Sequence, residues 1–366
     1  MAQGLYIFRP PPGGCSSAWL ECRTVTAEVA GSSPVSPARF LNDHPVPADG
    51  VLCFSPSEPD MADPTSTYHV PVLLPAIIAA ARGARRAVDA TLGDGGHAAA
   101  LLRAGAEVLG IDRDPEAIAI SRRRLGDDRI HYVQAPYASA EALAAIARFE
   151  PDLILLDLGV SSRQLDDAQR GFTFRPGAAL DMRMGGDGET AADLLNDADS
   201  ETLETIFRDY GDERRARRLA AEIVRRRGRH EFATSDDLVN AVRATLGARA
   251  GPPDFARLFQ AVRIAVNDEL GGLERALPAL RDALTPGGRL AILTYHSGED
   301  RLVKQSYREW ARSCVCPPDF PVCVCRGRAL GRVEPRKPIT PEESELAVNP
   351  RARSAKLRTF VVEHAA

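Results

Sequence analysis

No stretch of the 366-residue sequence stays apolar for the roughly 18–20 residues that a membrane-spanning helix needs, which excludes a helical integral-membrane protein. The opening residues, MAQGLYIFRPPPGG, lack the basic segment and long apolar run of a secretory signal. A cytoplasmic protein is therefore expected, its seven cysteines reduced rather than joined in a disulfide framework. The G-x-G-x-x-G fingerprint of nicotinamide and flavin domains is also missing.

What is present is the balance of a soluble globular chain, 44% apolar and 26% charged, with length for one large domain or two ordinary ones. The net charge of −4 hides an asymmetry: residues 1–60 carry 3 basic and 6 acidic side chains, residues 301–366 carry 13 and 7. A basic C-terminal region on an acidic protein suits a polyanionic partner, although solvated surface charge gives the same count.

Residues 1–60 show no sustained periodicity and are rich in Pro, Ser and Gly, the composition of a disordered tail. A second reading starts from Gly31-Ser32-Ser33-Pro34, which GGTTCGAGTCC, a T-arm sequence of transfer-RNA genes, can encode in part. On that reading residues 1–66 are a disordered or spurious extension, and translation starts at Met61.

Downstream, apolar strands and helical patterns alternate. Strands are expected at residues 87–92, 108–112, 130–134 and 153–158, with helices beginning at His97, Pro115 and residue 139. This order predicts a doubly wound parallel sheet. Residues 168–250 hold helical patterns and hardly any strand signal, so they read as an inserted helical subdomain. Residues 67–167 and 251–366 then form the sheet domain, with a strand at 289–295 after the turn Thr285-Pro286-Gly287-Gly288. A last strand at 357–363 is expected to close the edge.

The stretch DATLGDGGHAAALL, residues 89–102, runs from strand to glycine turn to helix. Glycines there let backbone approach a ligand, and the helix start offers free N–H groups. Asp112 ends the second strand, 17 residues after Gly95, where an acid can bind ribose hydroxyls, and Asp157 ends the fourth. The residues alone leave two ligands open, a nicotinamide dinucleotide and S-adenosylmethionine. Each aspartate can equally be a helix cap.

Longer motifs narrow this. HVPVLL (69–74), DATLGDGGH (89–97), LLDLGVSSRQLDDAQRGFTF (155–174), LDMRM (180–184), FQAVRIAVNDEL (259–270), HSGEDRLVK (296–304) and NPRARSAKLR (349–358) follow in order. In them the chain resembles the bacterial 16S ribosomal RNA cytosine-N4 methyltransferases. The resemblance implies a Rossmann-like class I S-adenosylmethionine-dependent methyltransferase with a helical insertion, acting on a cytidine in the decoding centre of the small ribosomal subunit. Its partner would be 16S ribosomal RNA, with no membrane and with monomer and homodimer both open. Carried over by position, the cofactor contacts fall on Gly95, Gly96, His97, Asp112, Tyr137, Asp157 and Gln164. Family members often carry Phe at the place of Tyr137. Asp89 lies four residues before Gly93, farther than in most methyltransferases, so its contact with the methionine end stays open.

Asp157 and His296 are the candidate catalytic residues, as acceptors for the hydrogens of the cytosine amine. For Asp157 the alternative is cofactor binding alone, and for His296 an RNA contact or the cap of the next helix. Eight arginines between 214 and 229 are candidates for RNA phosphates, the bland reading being a solvated face with Glu222 paired to Arg218 and Arg226. Arg351, Arg353, Lys356 and Arg358 form a second basic candidate. Cys314, Cys316, Cys323 and Cys325 spell two Cys-x-Cys pairs, either a structural zinc site or reduced thiols packing a hairpin. A protein or metabolite methyltransferase and a non-catalytic assembly factor are the competing functions.

Overall fold

The computed structural model describes residues 71–316, 322, 324, 325 and 327–363. The expected N-terminal extension lies outside the described residues, as does Cys323.

Seven strands form one sheet: β1 (Arg86–Asp89), β2 (Glu107–Asp112), β3 (Ile130–Gln134), β4 (Leu153–Asp157), β5 (Arg289–Thr294), β6 (Gly331–Val333) and β7 (Lys356–Val362). Their order is β3-β2-β1-β4-β5-β7-β6. β1 to β5 are parallel, while β7 runs antiparallel to both β5 and β6. This is the expected α/β sheet with one correction. The last strand does not close the edge; it sits between β5 and β6, and the short β6 is outermost.

The central strands are apolar because helices cover both sheet faces. In β4, Leu153, Ile154, Leu155 and Leu156 are fully buried, each worth about 1.5–3 kcal/mol of burial. Alternation divides them. Ile154 and Leu156 join Val88, Ile111, Ile292 and Phe360 in one core, and Leu153 and Leu155 join Ala87, Val108 and Leu293 in the other.

Local signals set the helix boundaries. Asp114 caps Pro115–Leu125 by accepting from the Glu116 amide at 3.0 Å, with Pro115 in the first turn. Before β5, the Gly288 amide donates to the Thr285 carbonyl at 2.8 Å, and Gly287 takes a positive φ of 84°. Proline followed by a positive-φ glycine is the recipe for a type II turn.

Between β4 and β5 the described residues contain no strand. The helices Ala191–Asp197, Ser200–Thr205, Ala216–Arg227, Ser235–Leu246 and Pro252–Asn267 gather around a third core that includes no sheet residue. Phe207, Leu219, Leu238, Leu258 and Val262 are among its fully buried members. The helix Pro252–Asn267 turns its apolar face into this core, not onto the sheet. No helix among the described residues is long and apolar enough to cross a membrane.

Candidate functional site

Parallel pairing brings Asp89, Asp112 and Asp157 to one end of the sheet, as the C-terminal residues of three adjacent strands. The chain changes direction across the sheet between β1 and β4, the place where open α/β sheets leave a crevice. The glycine turn arches over it. Helix Pro115–Leu125 holds the turn from behind: Ser121 Oγ donates to the Gly93 carbonyl and Arg124 Nη1 to the Asp94 carbonyl, both at 2.8 Å. Asp112 accepts from the Gly93 amide through one oxygen and from the Asp114 amide through the other, again at 2.8 Å.

Two glycines are required here. Gly95 has a φ of +76°, and a Cβ would stand 2.8 Å from Leu125 Cδ1. A Cβ on Gly96 would stand 2.7 Å from Pro71 Cγ, so Pro71 closes over the turn. A cavity of about 450 Å³ opens in front, within the range of small-molecule sites. Asp112, Asp157, His97, Tyr137, Gln164 and Gly96 line it; Gly95 does not, because it faces the helix behind.

The deepest charges are short of partners. Asp89 is 1% exposed, and neither carboxylate oxygen has a hydrogen-bond partner in good geometry among the described residues, the Thr91 backbone amide giving it only slight support. Burial pushes its pKa up to about 6, His97 opposing the rise and Asp157 adding to it. His97 Nε2 lies 3.4 Å from Asp157 Oδ2. Burial pulls the His97 pKa down, but Asp157, helped by Asp89, outweighs burial and holds it above the usual value. On the other side, the Tyr295 hydroxyl donates to Asp157 Oδ1 at 2.7 Å, and burial drives the phenol pKa well up. The Asp157 amide donates to Thr91 Oγ1 at 2.6 Å, tying β4 to the DATLGDGGH motif. The result is a buried string, Asp89, His97, Asp157 and Tyr295; the last three line the cavity, and Asp89 lies behind them, outside the lining.

The sequence pattern of the MraW methylase family matches residues 66–363. The chain belongs to that family. It is 59% identical over 301 residues to the ribosomal RNA small subunit methyltransferase H of Gemmatimonas aurantiaca, covering 81% of this chain and 96% of that protein. Identity to the protein of the same name from Heliobacterium modesticaldum is 46% over 304 residues, covering 80% and 97%. An rRNA methylase structure from Streptococcus thermophilus overlaps 76% of this chain and 87% of its own at 11% identity, with a TM-score of only 0.33.

Within this methylase, the other candidates divide. Tyr137 lines the cavity, its hydroxyl pKa raised by burial. Gln164 lines it too, but its amide is engaged: Oε1 accepts from the Ser161 amide at 3.0 Å and Nε2 donates to Asp114 at 3.3 Å. His296 is the helix cap. Nδ1 accepts from the Glu299 amide at 3.4 Å, Nε2 lies 3.2 Å from Glu299 Oε1, and the ring is not among the cavity-lining residues. Glu299 lines the wall instead. Burial alone would raise its pKa, but His296, the Tyr295 amide and Arg263 bring it below the usual value. Beside it Arg263 and Glu269 form a two-pronged ion pair at 2.8 and 2.9 Å.

Sequence reasoning passed over Tyr295, Glu299, Asp114 and Arg170. Arg170 donates to Asp114 through two nitrogens at 3.0 Å and to the Met184 carbonyl at 2.9 Å, linking LDMRM to the end of β2. The available signal for Asp114 was the Asp-Pro step, an N-cap followed by a first-turn proline.

The arginines of 214–229 have two fates. Arg225 and Arg226 both bind Glu222, at 2.7 Å, and together push its carboxyl down to about 2; Arg218 is not its partner. Arg227 donates to the Leu195 and Ala198 carbonyls, and Arg215 to those of Thr245 and Leu246, so both close the ends of neighbouring helices. Arg214, Arg217, Arg218 and Arg229 are exposed. In the second basic group, Lys356 and Arg358 both bind Asp300, and Arg351 binds Asp166.

Proposed function

We propose that this chain methylates the N4 amine of a cytidine in the decoding centre of 16S ribosomal RNA, using S-adenosylmethionine, in the cytoplasm. The observation that carries the proposal is the carboxylate-floored cavity at the sheet's switch point, in a chain matching small-subunit ribosomal RNA methyltransferases over four-fifths of its length.

The donor set fits this cofactor. Asp89, buried just behind the lining residues, places negative charge where an ammonium group would sit, and the helix start at Gly96 suits a carboxylate. Each Asp112 oxygen keeps a lone pair for ribose hydroxyls, and the Tyr137 ring offers a face for adenine. When bound, the cofactor supplies an electrophilic methyl group on a sulfonium.

The chain's own task is orientation. The cytosine amine is a weak nucleophile because its lone pair is delocalised into the ring. An acceptor on an N4 hydrogen localises that lone pair, and the same acceptor takes the proton that the amine loses on methylation. We assign this role to Asp157. Tyr295 fixes its Oδ1, leaving Oδ2, beside His97, as the face available to the amine. The base must leave its stack to enter, so a flipped cytidine is implied. The helical region of 168–250, with its exposed arginines, is the proposed RNA-facing part.

Mass spectrometry of 16S RNA from cells lacking the gene tests this. N4-methylation should vanish from the decoding-centre cytidine, return with the wild-type gene, and stay low with Asp157→Asn. Unchanged N4-methylation in the deletion strain overturns the proposal.

A further inference from the structure

Ala311 and Leu330 pack on the sheet core, but no described residue between them belongs to any of the three cores. The Leu330 amide donates to the Trp310 carbonyl at 2.9 Å, so the chain leaves the end of helix Ser297–Trp310 and returns beside it to start β6. Its described residues form no helix or strand, and Val322 and Val324 are 68% and 73% exposed. Between Ala311 and Leu330 no described residue is buried, and segments with so little core of their own are commonly held by a cross-link or a metal.

Three sulfurs meet inside it. The Sγ atoms of Cys314, Cys316 and Cys325 all lie within 4.8 Å of one another. Cys314 and Cys316 are two residues apart in non-helical chain, a spacing that turns both side chains to one side. Cys325 comes from the second Cys-x-Cys pair; its other member, Cys323, lies outside the described residues.

The spacing discriminates between chemistries. Cys325 Sγ is 3.8 Å from Cys314 Sγ. A disulfide holds its sulfurs at about 2.05 Å. A tetrahedral zinc centre with bonds of about 2.3 Å has edges of about 3.8 Å between its sulfurs. The Val315 amide also donates to Cys325 Sγ at 3.4 Å, a contact that favours a thiolate, the form in which sulfur binds metal.

We propose that Cys314, Cys316 and Cys325 bind a single zinc ion that fixes the loop between helix Ser297–Trp310 and β6. Thiolate ligands select zinc over harder cations, and with these three sulfurs a fourth donor completes the tetrahedron of a structural site. The site stands apart from methyl transfer. The 14-residue helix from the Glu299 end of the cavity to Trp310 is about 21 Å long, so the ion holds the outer strand and does not touch the reacting groups.

The test is metal analysis of the full chain, purified without a metal-affinity tag under reducing conditions. Wild type should hold about one zinc per chain, and the Cys314→Ser, Cys325→Ser double variant less than about a tenth of that. Because the variant can misfold, a second measurement uses wild type alone. Chelation should lower its melting temperature, and refilling with Co2+ should give thiolate-to-cobalt charge-transfer absorption. Affinity for S-adenosylmethionine should change by less than about twofold on chelation, since the ion lies a helix length away. Three results overturn the proposal: no zinc or cobalt bound by wild type, full zinc retained by the double variant, or a Cys314–Cys325 disulfide found by peptide mass spectrometry.

Discussion

The strand ends and the helical region between β4 and β5 both concentrate charge, but they treat it in opposite ways. At the strand ends Asp89 is buried and lacks a well-placed hydrogen-bond partner, and His97 sits beside it with its ring out of hydrogen-bonding geometry. In the helical region the arginines stand at the surface, and Arg215, Arg225, Arg226 and Arg227 are already engaged by carbonyls or by Glu222. A buried charge without a partner has a cost that folding alone does not explain, so it points to a ligand. An exposed charge has no such cost, and its number alone says little. The carboxylates therefore identify their site from within, whereas the arginines need a partner to do so.

The largest expected effect breaks the carboxylate side through its backbone. Gly95→Asp puts a Cβ 2.8 Å from Leu125 Cδ1 at a φ of +76°. Strain at such a position costs about 1–3 kcal/mol, and relief requires the turn to move off helix Pro115–Leu125. Calorimetry should show S-adenosylmethionine binding weakened more than about 100-fold, with a lowered melting temperature. The expected cause is a displaced turn, since the new side chain points away from the cavity. Wild-type affinity in this variant would mean the turn is not part of the site.

The next experiment sharpens the contrast within the arginines. Replacing Arg214, Arg217, Arg218 and Arg229 with Ala should leave the melting temperature unchanged and flatten the salt dependence of RNA binding. If each contacts one phosphate, the log–log slope should fall by roughly 3. Arg215→Ala and Arg227→Ala should do the reverse, lowering stability by about 1 kcal/mol each, because each removes donors from the carbonyl end of a helix. Equal salt slopes for the quadruple variant and wild type would return these side chains to the status of solvated surface.

Asp89→Asn tests whether the buried carboxylate is kept for a ligand. Its pKa of about 6 against the ordinary 3.8 corresponds to about 3 kcal/mol of destabilisation once it is ionised. The amide still lacks partners, so thermal melts without cofactor should show a gain of only about 1–2 kcal/mol at pH 7. Cofactor affinity should fall about 10-fold through loss of the buried negative charge behind the site. A variant that loses stability and keeps its affinity would place Asp89 in the framework instead of the site.

How much of this was legible in the sequence depended on whether the signal was local. β4 announced itself because Leu153, Ile154, Leu155 and Leu156 face covered sheet surfaces on both sides, and the turn at Thr285 carried its own proline and glycines. β6 did not. It is three residues long and exists through pairing with β7, where Gly331 is required because a Cβ would collide with the Val361 carbonyl. Asp89 was hard to place because counting residues to Gly93 ignores the parallel pairing of β1 with β4, which sets it near Asp157. Tyr295, the residue after β5, reaches the same carboxylate from more than a hundred residues away in sequence. Glu222 had acceptable partners at several helical spacings, and sequence could not say that Arg225 would displace Arg218.

The smallest effect concerns pH and separates ligand binding from stability within one residue. The folded pKa of Asp89 is raised, so its contribution to stability is fully present below about 3.8 and is lost as pH rises through about 6. The raised pKa of His97 acts in the same direction: its contribution is full below 6.5 and lost as pH climbs through the folded value. Between pH 7 and pH 5 the Asp89 share of stability without cofactor should therefore increase, by about 1.4 kcal/mol. Cofactor affinity should move the other way over the same interval, falling about tenfold as the carboxylate that balances the ammonium charge takes up its proton. Titration calorimetry and thermal melts at pH 5, 6 and 7 should give these opposed slopes in wild type, and Asp89→Asn should flatten the affinity slope. An affinity that falls equally with pH in both proteins would assign the titration to another group, and the carboxylate floor would then be read from Asp112 and Asp157 alone.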